Sequence, residues 1–264
     1  MKELHQEFIE KALPIFKADQ RLAGIAAGGS WITNSMDEFS DIDLVISVIP
    51  EFFDWVMHER LTIAESLGKL LAAFTGEHVG EPRLLICLYG PPLLHVDLKF
   101  IPAPDIMNRV EDPIILWEKD NQISKYMAQK PSKYPAPDLQ WVEDRFWVWV
   151  HYAANKLGRG EIFEVIEFIS FLRINVIGPF ILLKNGYTPS GVRRIETKAE
   201  DQLPQLIKTV PEYSKLSCSS ALKTIISLYR DLREYHQSPG FVYRIEAEKE
   251  SLKYLEEIID KIPG

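Results

Sequence analysis

The stretch Ser40-Asp41-Ile42-Asp43-Leu44-Val45-Ile46, set behind Gly28-Gly29-Ser30 by a ten-residue gap, is the most informative part of this chain. It places two carboxylates two residues apart at the start of an apolar run. On a strand, residues i and i+2 point to the same face, about 7 Å apart. Two acids held that way with no cation between them repel, and a bridging divalent metal relieves them most easily. The upstream glycines and serine supply small residues, backbone N–H groups and a hydroxyl, which a triphosphate needs. Together these parts read as a site for a metal–nucleotide complex.

A third acid strengthens that reading. Leu93-Leu94-His95-Val96-Asp97-Leu98-Lys99-Phe100 alternates as a half-buried strand does. Leu94, Val96, Leu98 and Phe100 are expected on one face, and His95, Asp97 and Lys99 on the other. If this strand lies beside the one carrying Asp41 and Asp43, Asp97 completes a three-carboxylate cluster able to bind two metal ions.

Gly29-Ser30, the ten-residue gap, Asp41-x-Asp43 and a later strand aspartate, Asp97, resemble the nucleotidyltransferase superfamily with its polymerase-beta-like fold. The layout, an acid-bearing domain followed by an all-helical one, is similar to that of the aminoglycoside and lincosamide adenylyltransferases. The motif match covers roughly the first hundred residues. One departure is the segment Trp31-Ile32-Thr33-Asn34-Ser35, where many relatives carry a basic residue and another glycine.

The resemblance implies an α+β fold: an N-terminal nucleotidyltransferase-type mixed sheet with flanking helices, then a C-terminal helical bundle. It implies transfer of AMP from ATP to a hydroxyl of a small molecule, an aminoglycoside-like antibiotic by the same resemblance, with release of pyrophosphate and with Mg²⁺ as two ions on Asp41, Asp43 and Asp97. Gly29 and Ser30 are expected at the β- and γ-phosphates. Asp97 has two open roles, metal ligand or general base. By layout, relatives often supply a phosphate-binding lysine from the helical domain. Lys156 is the candidate here, and Arg145 on the same helix competes with it. A protein or RNA acceptor, or a non-catalytic nucleotide-binding or toxin–antitoxin module, remains the alternative.

Composition narrows the partners. The chain has 264 residues, 46% of them apolar, enough for one large domain or two moderate ones. A formal net charge of −8 argues against a nucleic-acid grip and suits a cationic small substrate. Cys87 and Cys218 stand apart with no metal-ligand spacing and read as buried thiols. The six histidines show no paired ligand spacing, so zinc is not expected. No signal pattern opens the chain and no apolar run is expected to span a membrane, so the expected location is cytoplasmic. The oligomeric state stays open.

Along the chain, 2–17 reads as a helix that Pro14 ends or kinks, and 22–27 as a strand ending at the glycines. Residues 42–48 read as the next strand and 51–74 as one long helix with a possible break at Gly68. Strands at 83–89 and 93–101 flank Gly90-Pro91-Pro92 as a hairpin, and 114–117 adds a short strand. The composition turns helical near residue 118, which sets domains at 1–117 (catalytic) and 118–264 (substrate-binding). Residues 131–137 read as a linker. Helices are expected at 139–157, 161–183 bent at Gly178-Pro179, 199–208, 217–236 and 246–262.

Other residues read as less specific. Asp37 and Glu38 form an acidic loop or a rim for an amine. Glu143 and Asp144 are lesser candidates for touching substrate amines. Trp141, Trp147 and Trp149 are expected in the core. His95 is expected to be a structural histidine.

Overall fold

Strand alternation builds the first half of the molecule. The computed structural model describes residues 3–262. Six strands, β1 (Leu22–Ala27), β2 (Ile42–Val48), β3 (Leu70–Gly76), β4 (Glu81–Tyr89), β5 (Leu94–Pro102) and β6 (Ile114–Glu118), form one sheet in the order β3-β4-β5-β2-β1-β6. Only the central β2–β5 pair is parallel; the other neighbours are antiparallel.

Burial follows the alternation. Ile42, Leu44 and Ile46 of β2 and Leu94, Val96, Leu98 and Phe100 of β5 are buried. They pack with Phe8, Ala12 and Phe16 of helix α1 (Glu3–Ala18) and Val56 and Ala64 of α2 (Phe53–Ser66). Each such aliphatic side chain contributes about 1.5–3 kcal/mol by leaving water. Helix α1 runs through Pro14 to Ala18 rather than ending at the proline.

The long helix expected over 51–74 is not formed. Helix α2 stops at Ser66, and Leu70–Gly76 becomes the edge strand β3, paired with β4 from Leu70↔Tyr89 onward. The Leu-Leu-Ala-Ala-Phe run has good intrinsic helix propensity, but pairing with a neighbouring strand outweighs it.

The chain divides into two compact units, 1–134 and 135–264, and the division falls inside the proline-rich 131–137 segment. Residues 118–134 lie on the sheet side of that division. They include helix α3 (Gln122–Met127), whose buried Ile123 clusters with Ile101 and Ile106. That burial accounts for the difference from the expected boundary at 117/118.

The second unit is helical throughout. It contains α4 (Leu139–Arg159), α5 (Ile162–Leu172), α6 (Gly178–Lys184), the short α7 (Ile195–Lys198) and α8 (Leu203–Ile207), α9 (Lys215–His236) and α10 (Ile245–Ile259). Phe146 of α4 stacks on Tyr229 of α9 with ring centroids 3.7 Å apart, and Trp147 is edge-on to both. Trp141 is exposed rather than in the core, covered on one face by Arg145.

Between α5 and α6 the chain keeps winding through a π-helical turn, Arg173–Ile177. Pro179 lacks an N–H, and the wider turn absorbs that break in the ladder. Gly178 is needed there, because a Cβ would fall 2.3 Å from the Gly191 carbonyl oxygen. The run Ile162–Lys184 is long and apolar enough to cross a membrane by length and composition, contrary to the sequence expectation. Its buried residues Val165, Ile169, Leu172, Val176, Phe180 and Ile181 lie in the core of the helical unit.

Candidate active site

Asp43 and Asp97 are register partners across the parallel β2–β5 pair. Their flanking residues Ile42, Leu44, Val96 and Leu98 point into the core, so both carboxylates project from the opposite face of the sheet. Asp41 lies immediately before β2. One carboxylate oxygen from each of Asp41, Asp43 and Asp97 lies within 4.8 Å of the others. The three acids singled out from the sequence therefore meet in one cluster.

The electrostatics show the strain of that cluster. Burial holds the Asp97 carboxyl above the usual carboxylate range, the charge of Asp41 adds to the effect, and His95 opposes both. His95 Nε2 lies 2.9 Å from Asp97 Oδ1 along the same strand, with the His95 ring about half exposed. The sequence reading favoured a purely structural histidine. The i,i+2 spacing on one strand face was the available signal for this contact.

The glycine loop is built around Asp43. The Gly28 N–H donates to the Asp43 carbonyl oxygen at 2.9 Å. Gly29 has φ +58°, and a Cβ placed on it would fall 2.0 Å from Asp43 Oδ2. Glycine at 29 is thus required both by a left-handed backbone and by the carboxylate beside it. Residues Gly29–Trp31 form a short 3₁₀ turn, and the Trp31 side chain packs against the sheet core. The Ser30 Oγ is buried and has no hydrogen-bond partner among the described residues. Unpaired buried polar atoms are rare and costly, and a ligand oxygen would satisfy this one.

The donor set fits a hard divalent cation. Three carboxylates with no nitrogen or sulfur among them match the oxygen preference of Mg²⁺ or Mn²⁺. A cation there would relieve the mutual repulsion, and the buried Ser30 hydroxyl nearby in the Asp43 loop is suited to an anionic oxygen.

The remaining candidates have these surroundings within their own units. Lys156 lies in the helical unit on α4, 2.5 Å from Glu161 Oε2 and 3.7 Å from Glu164 Oε2. The hydrogen bond to Glu161 raises its pKa. Arg145 stacks its guanidinium 4.1 Å from the Trp141 ring centroid. Glu143 is fully buried and accepts from Trp147 Nε1, Tyr229 Oη and the Arg244 N–H, so its role is structural. Asp144 is held by Gln140 and Arg244. Asp37 Oδ1 accepts from the Phe39 N–H and the Ser40 hydroxyl, which shapes the loop leading into Asp41. Cys87 and Cys218 are buried free thiols, and burial pushes the Cys87 thiol up to about 12.

No protein-family model matches the chain, and no curated protein matches it. Among solved structures it is similar to an aminoglycoside 6-adenyltransferase from Bacillus subtilis, at 17% identity and a TM-score of 0.41, over 98% of this chain and 99% of that one. It is also similar to a nucleotidyltransferase-like protein from Exiguobacterium sibiricum, at 12% identity and a TM-score of 0.40, over 98% of this chain and 81% of that one.

Proposed function

We propose that the protein transfers a nucleoside monophosphate, AMP from ATP, to a hydroxyl group of a small molecule and releases pyrophosphate. The observation that carries this reading is the meeting of Asp41, Asp43 and Asp97 beside a glycine loop whose serine hydroxyl is buried and unpaired. Asp41 and Asp43 would hold Mg²⁺, with Asp97 as the third carboxylate of the set. When bound, the cation offsets the negative charge of the triphosphate and of the departing pyrophosphate.

The chain's own residues do the rest. The Ser30 hydroxyl and the loop backbone orient the terminal phosphates. Asp97, whose carboxyl burial holds above the usual carboxylate range, takes the proton of the acceptor hydroxyl. The hydroxyl oxygen forms a bond to the α-phosphorus as the bond from that phosphorus to the bridging oxygen breaks. Pyrophosphate leaves with the bonding pair. Gly29 keeps space open for the Asp43 carboxylate throughout. The net charge of −8 favours an amine-bearing acceptor over a nucleic acid.

The test is pyrophosphate release from each ribonucleoside triphosphate with Mg²⁺, across a panel of amine-bearing hydroxyl compounds, with product masses read in parallel. Release tied to one acceptor that gains a nucleoside monophosphate supports the reading. Nucleotide binding with no release under any acceptor, protein and RNA included, assigns a binding module instead.

A further inference from the structure

A recess of about 290 Å³ opens next to the acid cluster, within the sheet unit. Asp41 and His95 line it, and His95 is the residue that touches Asp97. A molecule seated there would therefore lie next to the reacting centre. The volume is at the small end for a ligand pocket.

The lining has two characters. Its acids are Glu38 and Asp41, and no lysine or arginine is among its lining residues. Its apolar side chains include Leu88 and Leu93, 38% and 66% exposed, with Phe39 at 88%. Leu88 sits opposite His95 in the β4–β5 ladder, which puts an aliphatic group directly beside the polar end. Large apolar side chains open to solvent around one concavity beside a polar centre are what a ligand with an apolar part would cover.

A buried acceptor adds an independent observation. His5 of α1 lines the recess and is only 2% exposed. Its Nε2 lies 2.7 Å from the Ser40 carbonyl oxygen, which can only accept, so Nε2 carries the proton. Nδ1 has no hydrogen-bond partner among the described residues, and in the neutral ring with its proton on Nε2 it is an acceptor. A buried acceptor near two carboxylates calls for a ligand rich in donors. A protonated amine supplies three N–H donors and the matching charge.

We propose that this recess is the acceptor subsite and that it takes an amphiphilic amine: a hydroxyl compound with one ammonium group and an apolar body. The proposal rests on the nucleotidyl-transfer reading and gives its acceptor a chemical class. Glu38 and the His5 ring select the ammonium, while Leu88 and Leu93 select the hydrocarbon. A polycationic sugar would satisfy the first group and leave the second in water.

The experiment follows leucine-methyl, histidine-ring and backbone-amide NMR signals of the full chain while probes are added at millimolar concentration. The probes are aminohexanol, hydroxyhexanoate and deoxystreptamine. Aminohexanol is expected to shift the Leu88 and Leu93 methyls and the His5 ring in a saturable way. Hydroxyhexanoate, of the wrong charge, and deoxystreptamine, with no apolar body, are expected to leave the methyls in place. In Leu88→Lys, with its methyl spectrum still dispersed, aminohexanol is expected to bind at least about tenfold more weakly. If Leu88→Lys does not fold, Glu38→Gln replaces it, with weaker aminohexanol binding expected again. Equal shifts from all three probes, no methyl shift from aminohexanol, or unchanged binding in the folded variant would overturn the proposal. Mg²⁺–ATP is titrated separately and read at the Gly29 and Ser30 amides. Silence there defeats the nucleotidyl-transfer reading independently of how the amine behaves.

Discussion

Asp43 and Asp97 stand side by side as register partners on the only parallel strand pair of the sheet, with Asp41 completing the cluster. Three acids this close cost folding free energy when no cation is present, because each charge is placed beside two like charges.

Burial of Asp97, with the Asp41 charge adding to it, predicts the pH behaviour of the metal-free protein. Asp97 has its folded-state pKa raised above the unfolded value of 3.8. A raised acid binds its proton more tightly when folded. Its stabilising contribution is therefore complete below pH 3.8 and is lost as pH rises through the folded pKa. Asp97→Asn is expected to melt higher than the parent at neutral pH, with the gap closing on acidification. Melting curves against pH in chelator would show this, and a gap that widens on acidification would contradict it.

Glu81 gives the opposite sign. A hydrogen bond from Arg83 first, and Lys99 next, hold its carboxyl down to about 2 from an ordinary 4.5. Its contribution is present above pH 4.5 and is lost as pH falls toward 2. Discounted for the solvent exposure of Arg83, it is worth roughly 1–2 kcal/mol. Glu81→Gln is expected to lower stability at neutral pH by that amount and to flatten the acid limb of urea-unfolding free energy against pH.

Gly29→Ala tests the fit of the loop to the acid. A methyl at 29 meets Asp43 Oδ2 at 2.0 Å on a backbone with φ +58°. Strain of about 1–3 kcal/mol is expected. Because the clash is with a carboxylate of the proposed metal site, Mn²⁺ affinity should fall by more than stability does. Calorimetric Mn²⁺ titration beside thermal melting separates the two, and an unchanged Mn²⁺ affinity would refute this role for Gly29.

In the helical unit, Glu143→Ala removes the acceptor shared by Trp147, Tyr229 and the Arg244 N–H, and the nearby anion of Arg233. Breaking a buried charge pair by removing one partner costs about 3–5 kcal/mol. Loss of cooperative unfolding of the helical unit is the expected result, read by circular dichroism at 222 nm; a wild-type melt would show that the buried network contributes nothing.

The acid cluster was legible in the sequence, because β5 alternates and the i,i+2 spacing of Asp41 and Asp43 puts both on one face at the start of β2. Asp43 and Asp97 follow from that rule once the strands are neighbours. What escaped depended on partners distant in sequence. Leu70–Gly76 is a strand only because β4 pairs with it, while its own residues favour a helix. Glu143 reads as a surface acid of α4 until Tyr229, Arg233 and Arg244, far along the chain, close over it. The His95–Asp97 contact is allowed by their shared strand face, and the rotamer that makes it is set by the fold.

The most direct test of the central claim is calorimetric titration of Mn²⁺ into the protein and into Asp43→Asn, with a non-hydrolysable ATP analogue present. The account predicts saturable Mn²⁺ binding by the parent chain and its loss in Asp43→Asn, with the variant folded and melting at or above the parent temperature. Equal Mn²⁺ binding by both proteins would contradict the assignment of Asp41, Asp43 and Asp97 as a metal site.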